Sequence, residues 1–133
     1  MTRNEGIRLF RMLRMPASSI SKFRAIAFSA QSGKCFYCKS PMWLGDGLLE
    51  FSALNGVSIK QARLLRCTAE HVVAKQDGGK NERANIVAAC SYCNHTRHRS
   101  KRPLSADQYA KKISQKCQKK RWLTCKFLNA SHN

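Results

Sequence analysis

A carboxylate and an imidazole stand side by side at Glu70 and His71, between two cysteine pairs, Cys35-Phe-Tyr-Cys38 and Cys90-Ser-Tyr-Cys93. Asn94 follows the second pair directly, and His98 lies four residues later, on the same face if that segment is helical. These types suit hydrolysis at a charged centre. Imidazole titrates near neutrality, so His71 can take a proton from water as a general base. Glu70 and the amide oxygen of Asn94 are hard ligands suited to a divalent cation such as Mg²⁺ or Mn²⁺, with His98 as the rival or additional ligand. Neighbours on a strand point to opposite sides, so Glu70 is expected to face away from His71 and to bind metal rather than share the proton work.

The cysteines suit a different task. Two CxxC pairs far apart in sequence form two knuckles whose four thiolates, Cys35, Cys38, Cys90 and Cys93, can surround one tetrahedral ion. Thiolate ligands favour Zn²⁺, which adds folding energy to a chain with a modest core. A thioredoxin-like redox pair would need a strand–CxxC–helix unit that the sequence lacks. Cys67, Cys117 and Cys125 have no such partners and read as plain thiols.

The elements that must hold these residues can be read from caps and periodicity. Ser18 or Ser19 can cap a helix to about Gln31, stopped by Gly33. The stretch 39–49 reads as loop, and Leu48–Leu54 and Ser58–Arg66 as short helices broken at Asn55-Gly56. That break weakly resembles a helix-turn-helix, although a packing insertion fits better. Cys67–Val73 and Asn85–Ala89 suit two strands around a Gly-rich loop. A helix is expected from Ser91 to about Lys101, and another from Ala106 to Lys119 capped by Ser105. Trp122, Leu123 and Phe127 should fold back on the core.

Charge limits the partners. The chain has 133 residues, 25 Lys plus Arg, 7 Asp plus Glu and a formal net charge of +18. Such an excess costs self-repulsion and signals a polyanion, nucleic acid first. Arg97, Arg99, Lys101 and Arg102 are the candidate phosphate contacts, extended by Lys111, Lys112, Lys116, Lys119, Lys120 and Arg121. No apolar run is long enough to span a bilayer, and arginines interrupt any signal-peptide core. An odd number of cysteines, seven, points to metal rather than disulfides and to a reducing compartment.

Taken together, Glu70-His71, Gly78-Gly79, Asn85-Ile-Val-Ala-Ala-Cys90-Ser-Tyr-Cys93-Asn94 resembles the cysteine-bearing subgroup of the HNH endonucleases, over Cys35 to about Arg102. The resemblance implies an α+β fold. Its centre is a small ββα-metal nuclease core, a two-stranded hairpin plus helix, stapled by a four-cysteine zinc site with flanking helices. The chain reads as a single domain over 1–133, with a basic arm at 1–16, a helical insertion at 39–66 and a C-terminal helix and tail at 104–133 lying outside the resemblance. The resemblance implies metal-dependent cleavage of DNA, most naturally double-stranded, leaving 5′-phosphate and 3′-hydroxyl ends, with structural Zn²⁺ and catalytic Mg²⁺ or Mn²⁺. Asn85 is implied to act structurally, fixing the loop that carries His71. Glu70 stands where the family more often has Asp. Low sequence specificity follows from contacts that touch backbone only, and a single site favours nicking. The remaining expectations are a monomer or weak dimer, no membrane, no small-molecule cofactor, and a cytoplasmic, nucleoid-associated protein of bacterial or phage origin. Two rival readings are a non-catalytic zinc module that binds nucleic acid and an RNA-directed nuclease.

Overall fold

The computed structural model describes residues 18–130, so the basic arm expected at 1–16 lies outside the described residues. Helix α1, Ser19–Ala30, begins where the Ser18 hydroxyl accepts from the Ser21 amide at 3.2 Å. It lies across the back of a hairpin made of β1, Cys67–His71, and β2, Ile86–Cys90. The strands are antiparallel, Cys67 opposite Cys90 and His71 opposite Ile86. β1 ends two residues sooner than the apolar run suggests, and β2 keeps the expected length but starts and ends one residue later, because a single 3₁₀ turn stands on either side of the loop, Lys75–Asp77 and Arg83–Asn85.

Part of the outer edge of β2 is covered by a side chain. Gln31 accepts from the Ala88 amide at 2.9 Å and donates to the Ala88 carbonyl at 2.8 Å, and Phe36 N–H adds a bond to that carbonyl. This blunts an edge that would otherwise offer unpaired groups.

Between the first knuckle and β1 lie α2, Leu48–Asn55, and α3, Ile59–Leu64. Gly56 ends α2 at φ 61°, a left-handed conformation that costs glycine little. Ser58 and Gln61 form a capping box at the start of α3. Phe51, Val57, Ala62 and Leu65 are buried in the main cluster, so the helix-turn-helix-like pattern encodes core packing.

Helix α4, Ser91–His98, starts at the second knuckle and returns along β1; it ends three residues sooner than the sequence suggests. Ser105 and Gln108 cap α5, Ala106–Gln118, which buries Tyr109 and Ile113. A last helix, α6, Leu123–Ala130, packs through Phe127 and Leu128, and Trp122 is buried before it. Leu123 departs from expectation: it is 40% exposed, on the side of α6 away from the core. Cys117 and Cys125 also depart from it. The turn between α5 and α6 brings their Cα atoms to 5.8 Å, and the two are joined as a disulfide rather than standing as separate thiols. Cys67 is buried at the head of β1, and desolvation pushes its thiol up to about 11.

The architecture is therefore α+β, with one antiparallel hairpin, several helices and the four knuckle cysteines clustered together. Among the described residues no helix is long and apolar enough to cross a membrane.

Candidate active site

Hairpin and helix place the two chemistries about one strand length apart. The sulfurs gather at the Cys67–Cys90 end, and His71 ends β1 some 14 Å away, four residues at the antiparallel rise. Because α4 leaves the sulfur cluster and runs back beside β1, its successive turns meet successive strand residues. Asn94 bonds Thr68 and Ala69, and one turn later His98 reaches Glu70.

Cys35, Cys38, Cys90 and Cys93 are fully or nearly buried, and their sulfurs lie within 4.8 Å of one another. Cys38 and Cys90 Sγ are 3.9 Å apart. Tetrahedral zinc with bonds near 2.3 Å places its sulfurs about 3.8 Å apart, so the cluster has the right size. The surroundings suit thiolates. Backbone N–H groups of Tyr37 and Cys90 point at Cys35 Sγ (3.4 and 3.3 Å), that of Cys93 at Cys90 Sγ (3.4 Å), and the Trp122 indole at Cys93 Sγ (3.3 Å). Packed without a cation, the four cannot all ionise. Hydrogen bonds from Cys35 and then Cys90 and Cys93 pull Cys38 far down, whereas Cys93 is driven far up, chiefly by Cys35 and Cys38. A dication among them would let all four ionise together. The four cysteines can bind zinc.

The second centre is an open cleft of about 350 Å³ lined by Glu70, His71, Lys75, Asn94 and His98 among others. Glu70 is buried and His71 half-buried, yet both border this one cleft rather than opposite faces, because His71 is the last strand residue and sits at the loop. Glu70 is 1% exposed. Its Oε1 lies 2.9 Å from His98 Nε2; its Oε2 accepts from Tyr37 at 3.0 Å and faces Arg97 Nη1 at 3.4 Å. Burial, and then the carboxylate charge, push the Tyr37 phenol up, which keeps it a donor.

This geometry can be set against the divalent ion implied by the sequence. Octahedral ligands at 2.0–2.1 Å stand about 3 Å apart when adjacent. The 2.9 Å between Glu70 Oε1 and His98 Nε2 matches that spacing. Asn94 holds its amide nitrogen on Thr68 Oγ1 (3.0 Å) and the Ala69 carbonyl (3.3 Å), and its Oδ1 has no donor among the described residues. The donor set of Glu70, His98 and Asn94 fits a hard divalent cation.

His71 Nε2 lies 2.8 Å from Asn81 Oδ1. An amide oxygen only accepts, so Nε2 carries the proton and Nδ1 keeps its lone pair. Asn85 acts elsewhere in the loop. It accepts from Val73 N–H at 2.8 Å and donates to the carbonyls of Val73 (3.1 Å) and Lys80 (3.0 Å). Gly79 lets the loop close on itself: a Cβ there would land inside the Val73 carbonyl.

Arg97 does not face outward with Arg99, Lys101 and Arg102. It is 4% exposed and turned into the fold. It donates to the carbonyls of His71 (3.1 Å), Val72 (3.3 Å) and Leu104 (3.1 Å), besides its contact with Glu70. A basic helix reads as a phosphate track until one of its cations finds a buried carboxylate, and no local pattern in the sequence separates Arg97 from its neighbours. Tyr37, Asn81 and Lys75 were likewise not singled out. Asn81 falls in a polar loop where many residues could reach a histidine, and Tyr37 hides between two cysteines whose own signal dominates.

Residues 58–100 match the family model for HNH endonuclease. The matched span contains Glu70, His71, Asn85, Asn94, His98 and the second cysteine pair, and it leaves Cys35, Cys38 and Tyr37 outside. No curated protein and no solved structure matches the chain.

Proposed function

With residues 58–100 matching the HNH endonuclease family, we propose that this chain is a metal-dependent DNA endonuclease that hydrolyses phosphodiester bonds with little sequence preference. A nuclease-type domain and a nucleic-acid substrate follow from the family match; DNA, the metal and the residue roles are the proposal. The observation that carries it is the cleft itself: Glu70 Oε1 and His98 Nε2 at a metal-ligand spacing, beside a histidine whose Nε2 is already occupied by Asn81.

His71 accepts a proton from water at Nδ1, the nitrogen that Asn81 leaves free. The oxygen of that water forms its bond to phosphorus as the bond from phosphorus to the 3′-oxygen breaks, and the departing oxygen takes a proton from solvent. Glu70, His98 and Asn94 would hold a Mg²⁺ or Mn²⁺ ion, which would supply positive charge to the phosphate and to the leaving oxygen. Lys75 borders the same cleft and adds a cation where the phosphate must sit. Asn85 pins the loop, Arg97 pins the backbone of His71 and Val72, and the zinc cluster anchors the ends of the hairpin and α4. Arg99, Lys101 and Arg102 meet neighbouring phosphates.

The test compares supercoiled plasmid and a structured RNA, each with Mg²⁺ and with Mn²⁺, for wild type and Glu70→Gln. Nicked or linear plasmid that depends on the ion and on Glu70 supports the reading. RNA cut in preference to plasmid reassigns the substrate. Intact plasmid and intact RNA, both bound, would leave a zinc-holding binding module.

A further inference from the structure

On the other flank of α4, between that helix and α5, lies a second cavity of about 340 Å³. Its walls include Thr96, Ser100, Arg102, Lys112 and Lys116, with the inward Arg97 beneath. No carboxylate lines it. Both ion pairs among the described residues end on Glu70, so Arg97 is neutralised and Arg102, Lys112 and Lys116 are not. Lys116 is held in place, its Nζ 5.5 Å over the Trp122 ring. Three cations without an ion pair among the described residues line one hollow, and the Ser100 hydroxyl beside them, which accepts from the Arg102 amide, keeps its proton to donate. That combination fits a tetrahedral anion bearing charge and several acceptors.

We propose that this cavity is a second phosphate-binding site, which takes a backbone phosphate of the nucleic acid distant from the bond being cut. The inference rests on the nuclease reading only for the identity of the ligand, not for hydrolysis. Helical geometry supports the placement. Asn94 and His98 border the cleft, and Thr96, two residues from each of them on α4, stands about 160° away from both at 100° per residue, with Ser100 just past the helix end. The cavity and the cleft are thus separated by roughly one helix diameter, on the order of 10–12 Å. A strand pair lying across α4 would offer one phosphate to each flank. Anchoring on both sides fixes where along the backbone the cleft falls, without reading a base.

The experiment uses the full chain without added divalent ion, so that binding is read apart from cleavage. Duplex affinity is measured by fluorescence anisotropy over a range of salt for wild type, Lys112→Gln/Lys116→Gln, and Lys22→Gln/Lys60→Gln. The last pair removes the same charge outside the cavity. The cavity pair should bind at least tenfold more weakly, with a salt slope shallower by about 1 per lysine, while the control pair stays within about threefold of wild type. Inorganic phosphate should move the amide resonances of Ser100 and Lys116 saturably in wild type and not in the cavity pair. Ser100→Ala, which keeps every charge, should weaken the phosphate response and serves as a variant that is expected to fold normally. Equal losses in both lysine pairs would reduce the effect to net charge and overturn the site. Resonances untouched by phosphate would overturn it too. Phosphate binding with unchanged duplex affinity would overturn the assignment to nucleic acid. A chain that cuts nothing but shows the cavity-specific loss would sink the nuclease reading and leave this one standing.

Discussion

The Tyr37 hydroxyl donates to Oε2 of Glu70 across 3.0 Å of buried space. Tyr37 lies inside the first cysteine knuckle, and Glu70 is the buried carboxylate of the cleft, so one hydrogen bond joins the sulfur cluster to the reaction centre. It leaves Oε1 free to face His98. Tyr37→Phe removes the donor while keeping the ring that stacks edge-on against Tyr109. We expect a stability loss of about 1–2 kcal/mol, normal zinc content and weaker binding of the catalytic ion. Denaturant unfolding with metal analysis, followed by calorimetric Mn²⁺ titration, checks all three.

Arg97 and Glu70 form a buried pair at 3.4 Å, and each is left charged in a low-dielectric interior when the other is removed. Arg97→Met should therefore cost about 3–5 kcal/mol, and Glu70→Gln should offset part of that loss in the double variant. If Arg97 instead served as a surface phosphate contact, the single variant would melt like wild type and show only weaker DNA binding with a shallower salt dependence. Urea unfolding of the two single variants and the double variant decides between these.

Asn81 touches the histidine ring and none of the cleft donors. Asn81→Ala should lower kcat by about tenfold or more with little change in KM, because the imidazole loses its orientation rather than the substrate losing its site. The acid limb of the pH–rate profile should move as well. A purely structural role would instead alter melting and leave that limb in place. Steady-state cleavage across pH, with melting alongside, separates the two.

The phenols of Tyr37 and Tyr109 are pushed up from 10.0, first by burial and then by nearby negative groups. A raised folded value means the neutral form is favoured in the folded state. The associated stability is present below pH 10 and is lost as pH climbs beyond it, since the unfolded chain ionises first. Tyrosinate absorbance should thus rise together with unfolding, not before it, and Tyr37→Phe should flatten the alkaline fall in stability. Tyrosinate appearing in the folded protein near pH 10 would contradict this.

How much of this was legible in the sequence follows from the range of each interaction. Caps at Ser18, Ser58 and Ser105, the break at Gly56 and the sulfur clamp are set within a few residues or by strong ligand chemistry, and they read directly from the chain. The expected end of β1 falls two residues late because the apolar Val72 and Val73 continue past His71, where the backbone leaves the ladder. Arg97 shows the limit most clearly: its fate depends on Glu70, distant in the chain, and on a carbonyl at Leu104 that only the tertiary fold brings near. The Cys117–Cys125 pair depends in the same way on how α5 turns into α6. The Glu70–His98 contact was anticipated as a shared ligand set, whereas the tie between His71 and Asn81 crosses a loop with no periodicity to betray it.

The four-cysteine cluster and the cleft should fail in different ways. Cys90→Ser removes a buried sulfur and should leave a chain that aggregates or unfolds, with zinc lost in step with structure. Metal content and circular dichroism on the same samples check this; a folded, zinc-free Cys90→Ser protein would remove the anchoring role given to the cluster.

The most direct test of the central claim is plasmid cleavage by His71→Ala beside wild type, with Mn²⁺ present and with zinc content and melting temperature matched between the two. We expect wild type to nick the plasmid and the variant to lose activity by about 100-fold or more while still binding DNA. Equal cleavage by both proteins, or none by either on a bound plasmid, would contradict the account.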